Sequence, residues 1–312
     1  MWKRLDIIFA LKSPIHIGYL PFKGSVISPT RYYIPGKNFW GAITKRTTEY
    51  VYKNPTREYQ EVGRQIKESF KFSYFYLYDG ETILIPKYDE SGLIFGDQKQ
   101  LNKFQFENRF IGSRVLTAID SASGKAKDES LHEIEFIKDK FVDNESGAIK
   151  NTKIIGSIWV KEGFKLNNYE IIAENGIFIN EFNLLEELTL GGEQGYGFGT
   201  INLESILKNK RFPIDDIIDN EIKITANNEK PIISHLKYDR SITFRGDIEL
   251  LGGRGYFDIE EENSLNDNST KYKENAGKIL SNIDYYIVPG SLVKLESNKN
   301  FVLNWNGTME IR

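Results

Sequence analysis

The sequence predicts an α+β protein of two domains, and three observations carry that prediction. Strand-like apolar runs and helix-like periodic segments are mixed in both halves of the chain. The 312 residues are enough for two domains of ordinary size. A charged stretch broken by Pro213, LKNKRFPIDD (residues 207–216), separates the halves, so the expected domains are 1–208 and 209–312.

In chain order, residues 4–12 read as a mostly apolar strand that includes Ile8 and Ala10. Pro14, Gly18, Pro21, Gly24, Pro29 and Pro35 make the next stretch a loop. A helix follows Gly36, with Phe39, Ala42 and Ile43 on its apolar face. Residues 56–70 predict a second helix, residues 71–78 a strand, and Asp79-Gly80 a hairpin turn into a strand over 82–86. The polar stretch 89–108 reads as loop. Strands are expected at 131–137, 154–160 and 170–179, then a short helix over 180–190 with Phe182, Leu185 and Leu188 on one side. A glycine-rich turn leads into a strand at 200–206. The second half predicts strands at 222–226, 242–251, 285–288, 292–296 and 301–305, with one helix at 271–281.

Composition narrows the chemistry. The chain has no cysteine, which excludes disulfides, thiolate metal sites and a cysteine nucleophile and fits a reducing cytoplasm. His16, His132 and His235 lie far apart without metal-ligand spacing. The apolar run near the N-terminus is interrupted by Asp6 and ended by Lys12, too short for a signal peptide, and no apolar stretch is long enough for a membrane span. The net charge is −3, but residues 7–48 contain no Asp or Glu. That window interleaves Lys12, Lys23, Arg31, Lys37, Lys45 and Arg46 with aromatic residues, a pattern suited to a phosphate backbone. A chance gap in acidic residues is the plain alternative.

The most informative segment is LGGEQGYGFGTI (residues 190–201), with Gly191, Gly192, Gly195, Gly197 and Gly199 in nine residues. Glycines admit positive φ and close backbone approach, and successive N–H groups in such a loop can cradle an anion. No Gly-Lys-Ser/Thr follows, so it is not a phosphate loop of the nucleotide-hydrolase kind. The expected order helix, loop, strand also excludes a dinucleotide fingerprint.

This segment resembles the C-terminal glycine-rich loop of the RAMP superfamily, the RNA-binding and RNA-processing proteins of CRISPR systems. SPIHIG (residues 13–18) with YIPGKNFWGAI (residues 33–43) is similar to that family's first-strand end and first-helix start, except that Lys37 stands where serine is usual and Trp40 where arginine is usual. TAIDSASGKAKDESLHEIEFI (residues 117–137) and VPGSLVKL (residues 288–295) resemble parts of the type III subunit that caps the 5′ end of the CRISPR RNA. The resemblance implies two ferredoxin-like (RRM-like) domains, the glycine-rich loop closing the first. It also implies a non-catalytic, cytoplasmic RNA-binding subunit of a type III CRISPR effector complex, without cofactor. Its partners would be CRISPR RNA, target RNA through the complex, and other effector subunits including the large polymerase-like one. The alternative is a RAMP-family ribonuclease or backbone subunit acting on target RNA or precursor CRISPR RNA. The backbone route uses an aspartate between first strand and first helix, and this chain has no Asp or Glu there.

The expected RNA-binding residues are His16, Gly18, Lys23, Arg31, Lys37, Asn38, Arg109, Arg114, Gly191, Gly192, Gly195, Tyr196, Gly197, Phe198, Gly199 and Arg254, with no catalytic or metal-binding residue. Several have a plainer reading: surface salt bridges for Arg109 and Arg114, a strand bend around Arg254, and a structural histidine at position 16. Asp215, Asp216 and Asp219 read as a solvated linker because their spacing fits no coordination template.

Overall fold

The computed structural model describes residues 1–19, 26–56, 58–117, 119–120, 123–126, 130–214, 217–218, 221–224, 230–252, 254–255, 279–280, 283–294 and 301–311. Strand β1 (Trp2–Leu11) organises the first half. Its near-continuous apolar run arises because both faces are covered. Leu5, Ile7, Phe9 and Leu11 point to a core shared with two helices, α1 (Gly36–Val51) and α2 (Glu58–Ser69). Ile8 points the other way, into a core shared with the second half of the chain.

Two short strands, β2 (Ile27–Ser28) and β3 (Tyr33–Ile34), precede α1; β4 (Phe70–Phe72) and β5 (Phe75–Tyr78) follow α2. An antiparallel meander, β6 (Pro86–Asp89), β7 (Gly92–Phe95) and β8 (Leu101–Asn102), leads into α3 (Lys103–Phe110). Then come β9 (Ile111–Leu116), β10 (His132–Ile137), β11 (Lys140–Val142), β12 (Ile149–Asn151) and the long β13 (Lys153–Lys161). The short strands β14 (Lys165–Leu166), β15 (Tyr169–Ala173), β16 (Ile177–Ile179) and β17 (Phe182–Asn183) form a sheet of their own, and β18 (Glu187–Thr189) and β19 (Thr200–Leu207) flank the glycine-rich loop.

The main sheet has the order β18-β19-β1-β13-β5-β3, with β4 also paired to β13. Its central strands thus run fourth, first, third, second along the chain. Helices α1 and α2 lie between the first and second of these strands, and α3 between the second and third. The connection from β13 to β19 carries strands where a helix was expected. Phe9, Phe39 and Phe75 fill the space between sheet and α1, Phe39 stacking on Phe75 at 3.9 Å. Cutting Phe39 back to alanine would cost about 3–5 kcal/mol at such a site.

The second half supplies β20 (Ile217–Ile218), β21 (Glu221–Ile224), β22 (Leu236–Lys237), β23 (Thr243–Arg245), β24 (Ile248–Leu251), β25 (Arg254–Gly255), β26 (Ile279–Leu280), β27 (Asp284–Ile287), β28 (Leu292–Lys294), β29 (Phe301–Leu303) and β30 (Met309–Ile311). Seven of them form a sheet of order β20-β21-β29-β30-β22-β27-β24. Ile222, Leu236, Leu303 and Met309 pack with Tyr33, Tyr74, Tyr76 and Trp159 of the first half, so buried residues from both halves share one core. Among the described residues no helix is long and apolar enough to cross a membrane.

Several local expectations are corrected. The helix expected over 180–190 is β17, a turn and β18. Asn180 sits at φ 53°, and the Asn183 side chain accepts from the Leu185 N–H at 3.0 Å, closing a turn in place of a helical one. The stretch expected as loop over 89–108 holds β7, β8 and α3. A capping box starts α3: Asn102 Oδ1 accepts from Gln105 N at 2.9 Å while Gln105 Oε1 accepts from Asn102 N at 3.0 Å. In place of a strand at 82–86, Ile83 makes a lone bridge to Tyr78 and pairing resumes at Pro86. The expected 242–251 strand breaks at Gly246, φ 152°, and the 170–179 strand folds back as the β15–β16 hairpin. The helix expected at 271–281 lies outside the described residues, except that Ile279–Leu280 is strand β26.

Asp6, which interrupts the first apolar run, pins the chain segment after β19. Its carboxylate accepts from Arg4 Nε (2.7 Å), Ser157 Oγ (2.7 Å), Arg211 N (2.8 Å) and Phe212 N (2.9 Å). Burial pushes its pKa up, but the hydrogen bonds from Arg4, Phe212 and Ser157 outweigh that and hold it below its ordinary value. A depressed carboxyl contributes stability that is complete above its unfolded pKa and lost as pH falls through the folded one. Unfolding midpoints should therefore drop as pH goes below about 4, and Asp6→Asn should flatten that acid limb. An unchanged limb in the variant would assign acid lability to other groups.

Candidate nucleic-acid interface

The chain leaves β1 in extended form over residues 13–18, and the glycine-rich loop is laid against it by main-chain bonds. Lys12 N donates to Thr200 O (2.9 Å), Gly199 N to Pro14 O (2.8 Å) and Gly192 N to His16 O (2.9 Å). Such proximity requires two glycines. Gly191 has φ 78° and a Cβ there would overlap the His16 carbonyl; Gly199 has φ 95° and a Cβ would overlap the Leu190 carbonyl. Between them the chain turns through Glu193 at φ 57°, a 3₁₀ turn (Gln194–Tyr196) and Gly197 at φ 82°. Gly195 has no positive φ, and a Cβ added to it would meet nothing within 4 Å, so the expected backbone demand falls on Gly191, Gly197 and Gly199 instead.

Tyr196, at the tip of the loop, is 60% exposed. Phe198 is buried edge-on to Phe136 of β10 at 5.3 Å, and the exposed Arg114 of β9 lies 5.6 Å over the Phe198 ring. Arg114, Tyr196 and the main chain of two adjoining segments thus form one exposed face. Arg114 is free to meet phosphate there, and Tyr196 offers a stacking surface. The sheet β2-β10-β9 supports this face from beneath, with β2 parallel to β10.

His16 is buried beneath this face, 5% exposed. Its Nδ1 donates to the Glu135 carbonyl at 2.7 Å, and its Nε2 lies 3.5 Å from the Ser28 hydroxyl. Gly18 is exposed beside the ring. Glu135 brings to the loop a carboxylate that the acid-free window did not anticipate, and it accepts from Thr30 N at 3.3 Å.

The expected cations do not gather as the sequence suggested. Arg31 is turned inward, 3% exposed, ion-paired to Glu249 at 2.5 Å and stacked under Tyr19 at 4.2 Å. Its charge is therefore met inside the protein, by Glu249 and the Tyr19 ring. Arg109 lies over Phe110 and Phe141 with Asp79 at 3.7 Å, a buttress for α3 away from the loop. Lys37 and Asn38 are half-buried in the first turn of α1, where Asn38 N donates to Pro35 O at 3.0 Å. That turn abuts the hairpin at residues 304–307: a Cβ on Gly36 would meet Asn306 O at 2.6 Å. Trp40, in the position where arginine was expected, donates from Nε1 to Gly63 O at 2.9 Å and meets Trp305 edge-on. Lys23 and the side chain of Arg254 lie outside the described residues, as do Asp215, Asp216 and Asp219.

Sequence reasoning missed Glu249 and His235. Glu249 takes the Arg31 charge and a hydrogen bond from His235, whose Nδ1 accepts from Tyr74 OH at 2.6 Å. Burial pushes the Glu249 carboxyl up, but His235 and Arg31 outweigh it and hold the group below its ordinary pKa. Burial pushes His235 down, which keeps the imidazole neutral. Among the described residues no three His, Asp or Glu side chains gather as metal ligands.

No protein-family model and no curated protein matches the sequence. Solved structures match by fold. A chain in the cryo-EM structure of the Type III-B Cmr-beta bound to cognate target RNA is similar over 94% of this chain and 86% of its own length, at TM-score 0.50 and 13% identity. A chain of Cmr-beta bound to cognate target RNA and AMPPnP, state 1, matches over the same shares at TM-score 0.51 and 11% identity. The overall fold is shared with those chains.

Proposed function

We propose that this chain is a non-catalytic RNA-binding subunit of a type III CRISPR effector complex, one that holds the 5′ repeat-derived tag of the CRISPR RNA and docks on the large polymerase-like subunit. The observation that carries the reading is the glycine-rich loop laid along residues 13–18, a main-chain surface with Tyr196 and Arg114 beside it. A backbone-lined face suits the sugar–phosphate chain, and an exposed ring suits an unstacked base. The fold shared with chains of Cmr-beta supports the placement in a type III complex. The fourth-first-third-second strand order supports a ferredoxin-like first domain whose second helix has been replaced by strands.

The non-catalytic part of this proposal rests on the carboxylates around residues 7–48. Residues 7–48 contribute no carboxylate, and those that reach this stretch in space include Glu135, which accepts from the Thr30 amide, Glu249, paired with Arg31, and Glu107, which accepts from the Tyr32 hydroxyl. The purified full chain should bind single-stranded RNA carrying the tag more tightly than the same RNA without it. It should leave target RNA and precursor CRISPR RNA intact in the presence of Mg²⁺. Affinity should fall as salt rises, and Arg114→Ala should reduce the log–log slope by about one. Cleavage of either RNA by the chain alone would replace this reading with a ribonuclease; equal binding of tagged and untagged RNA would remove the capping role.

A further inference from the structure

Helix α3 buries Phe106 and Phe110 and turns Phe104 and Asn108 outward, because residues four apart share a helix face and residues two apart do not. In β11 the alternation of a strand puts Phe141 inside, against Phe110 at 5.0 Å, and Val142 outside. Val142 is paired with Ile149 across the β11–β12 hairpin, so their side chains stand on one face. Between α3 and the hairpin runs a groove of about 540 Å³. Phe104 (72% exposed), Val142 (55%) and Ile149 (72%) all line it, and the polar side chains of Asn108, Asn144 and Lys140 stand around them. Asp143 fixes the hairpin tip: its Oδ1 accepts from Glu145 N at 2.9 Å and from Ser146 N at 3.0 Å. The apolar pair is therefore held in place before any partner arrives.

The charge along this groove has one sign. Arg109, Lys138 and Lys140 line it, and among the described residues no carboxylate does. Carboxylates close by in the fold are matched internally, Asp143 by Lys150, and Glu81 and Glu145 by Lys99. Lys138 Nζ donates to Asn108 O at 2.8 Å, and Arg109 lies across the rings of Phe110 and Phe141. Lys140 is exposed and, among the described residues, enters no ion pair.

We propose that this groove docks another protein subunit of the complex, through a segment that carries apolar side chains and a carboxylate within reach of Lys140. This rests on the effector-subunit reading above and gives that docking a surface. A contiguous apolar patch rimmed by polar groups has the anatomy of a protein interface. A nucleic-acid strand fits less well: Val142 and Ile149 offer no ring on which a base could stack, and a phosphate backbone would meet a single uncommitted lysine.

The photo-crosslinking residue p-benzoylphenylalanine would replace Ile149 in the full chain, and the complex reconstituted with the subunits encoded beside it would be irradiated. The adduct is expected on an apolar segment of another subunit, with an Asp or Glu next to the crosslinked residue. In parallel, Val142→Asp and Lys140→Glu chains would be titrated against the complex assembled without this subunit. Each should weaken docking about tenfold or more, while Lys140→Arg docks like the intact chain. Binding of tag RNA by each variant alone should stay unchanged. Should Val142→Asp fail to fold, Lys140→Glu, a change at an exposed and unpaired position, still decides the matter together with the adduct. An adduct on RNA would make the groove a nucleic-acid site, and an adduct on a second copy of this chain would make it a self-association surface; either overturns the proposal. Unchanged docking of Val142→Asp and Lys140→Glu overturns it too, while leaving the effector-subunit reading intact. An intact chain that enters no such complex would sink the function proposed above as well.

Discussion

Replacing Arg31 with alanine is expected to lower the free energy of unfolding by about 3–5 kcal/mol, the cost of leaving a buried charge without its partner. The guanidinium is sealed between Tyr19 and the Glu249 carboxylate, and the pair joins the loop before α1 to β24 of the second half. Without Arg31, Glu249 would keep only His235, a neutral donor, against its desolvation. The variant should therefore shift the guanidinium chloride midpoint, and the carboxylate should become easier to protonate. Glu249 is held below its ordinary pKa in the intact protein, so its contribution is present above the unfolded carboxyl pKa and lost as pH falls through the folded one. In Arg31→Ala the folded pKa should rise, so that loss should be smaller and complete at higher pH. Replacing both partners with apolar residues, Arg31→Met with Glu249→Leu, should recover much of the stability, because no charge is left buried. A normal midpoint with weakened RNA binding would instead make Arg31 a phosphate ligand.

Within the glycine-rich loop, the largest effect is expected at Gly199. Alanine there needs φ near 95° and puts a methyl group into the Leu190 carbonyl, while a main-chain bond from Leu190 N to Gly199 O holds the two residues together. Strain and overlap together should cost about 3 kcal/mol or more, enough to detach the loop from residues 13–18. Gly195→Ala is the control: open space and an ordinary φ should keep it within about 0.5 kcal/mol. Gly197→Val lies between, with about 1–2 kcal/mol of backbone strain and no clash, and it should weaken RNA binding by distorting the turn next to Tyr196. Denaturation midpoints and RNA titrations of the three variants would rank them. Equal stability of Gly199→Ala and Gly195→Ala would show that the loop is free of the strand beside it.

What can be read in the sequence is whatever local patterning decides. β1, α1 and α2 are legible because an apolar run, a glycine–helix start and a periodic face are local signals. Phe182, Leu185 and Leu188 mislead because their spacing is helical while asparagines at 180 and 183 favour turns, and the turns win. The start of α3 is readable from Asn102 and Gln105, with Phe106 and Phe110 one turn apart, but polar surroundings hide it. The cationic window misleads for a different reason. Arg31 is neutralised by Glu249, 218 residues away, and no local pattern reports such a partner. The setting of His16 likewise depends on Glu135 and Gly192, which only the fold brings to it.

The main-chain character of the loop face has a consequence for how such proteins diverge. When a surface is shaped by peptide groups, selection acts on a few conformationally demanding positions, here 191, 197 and 199, and leaves the intervening side chains free to drift. A fold can then persist with few shared letters, as between this chain and the Cmr-beta chains that share its overall fold at 11–13% identity over 94% of its length. In searches for distant homologues, the spacing of left-handed backbone positions would be a more durable signature than any residue that touches the ligand.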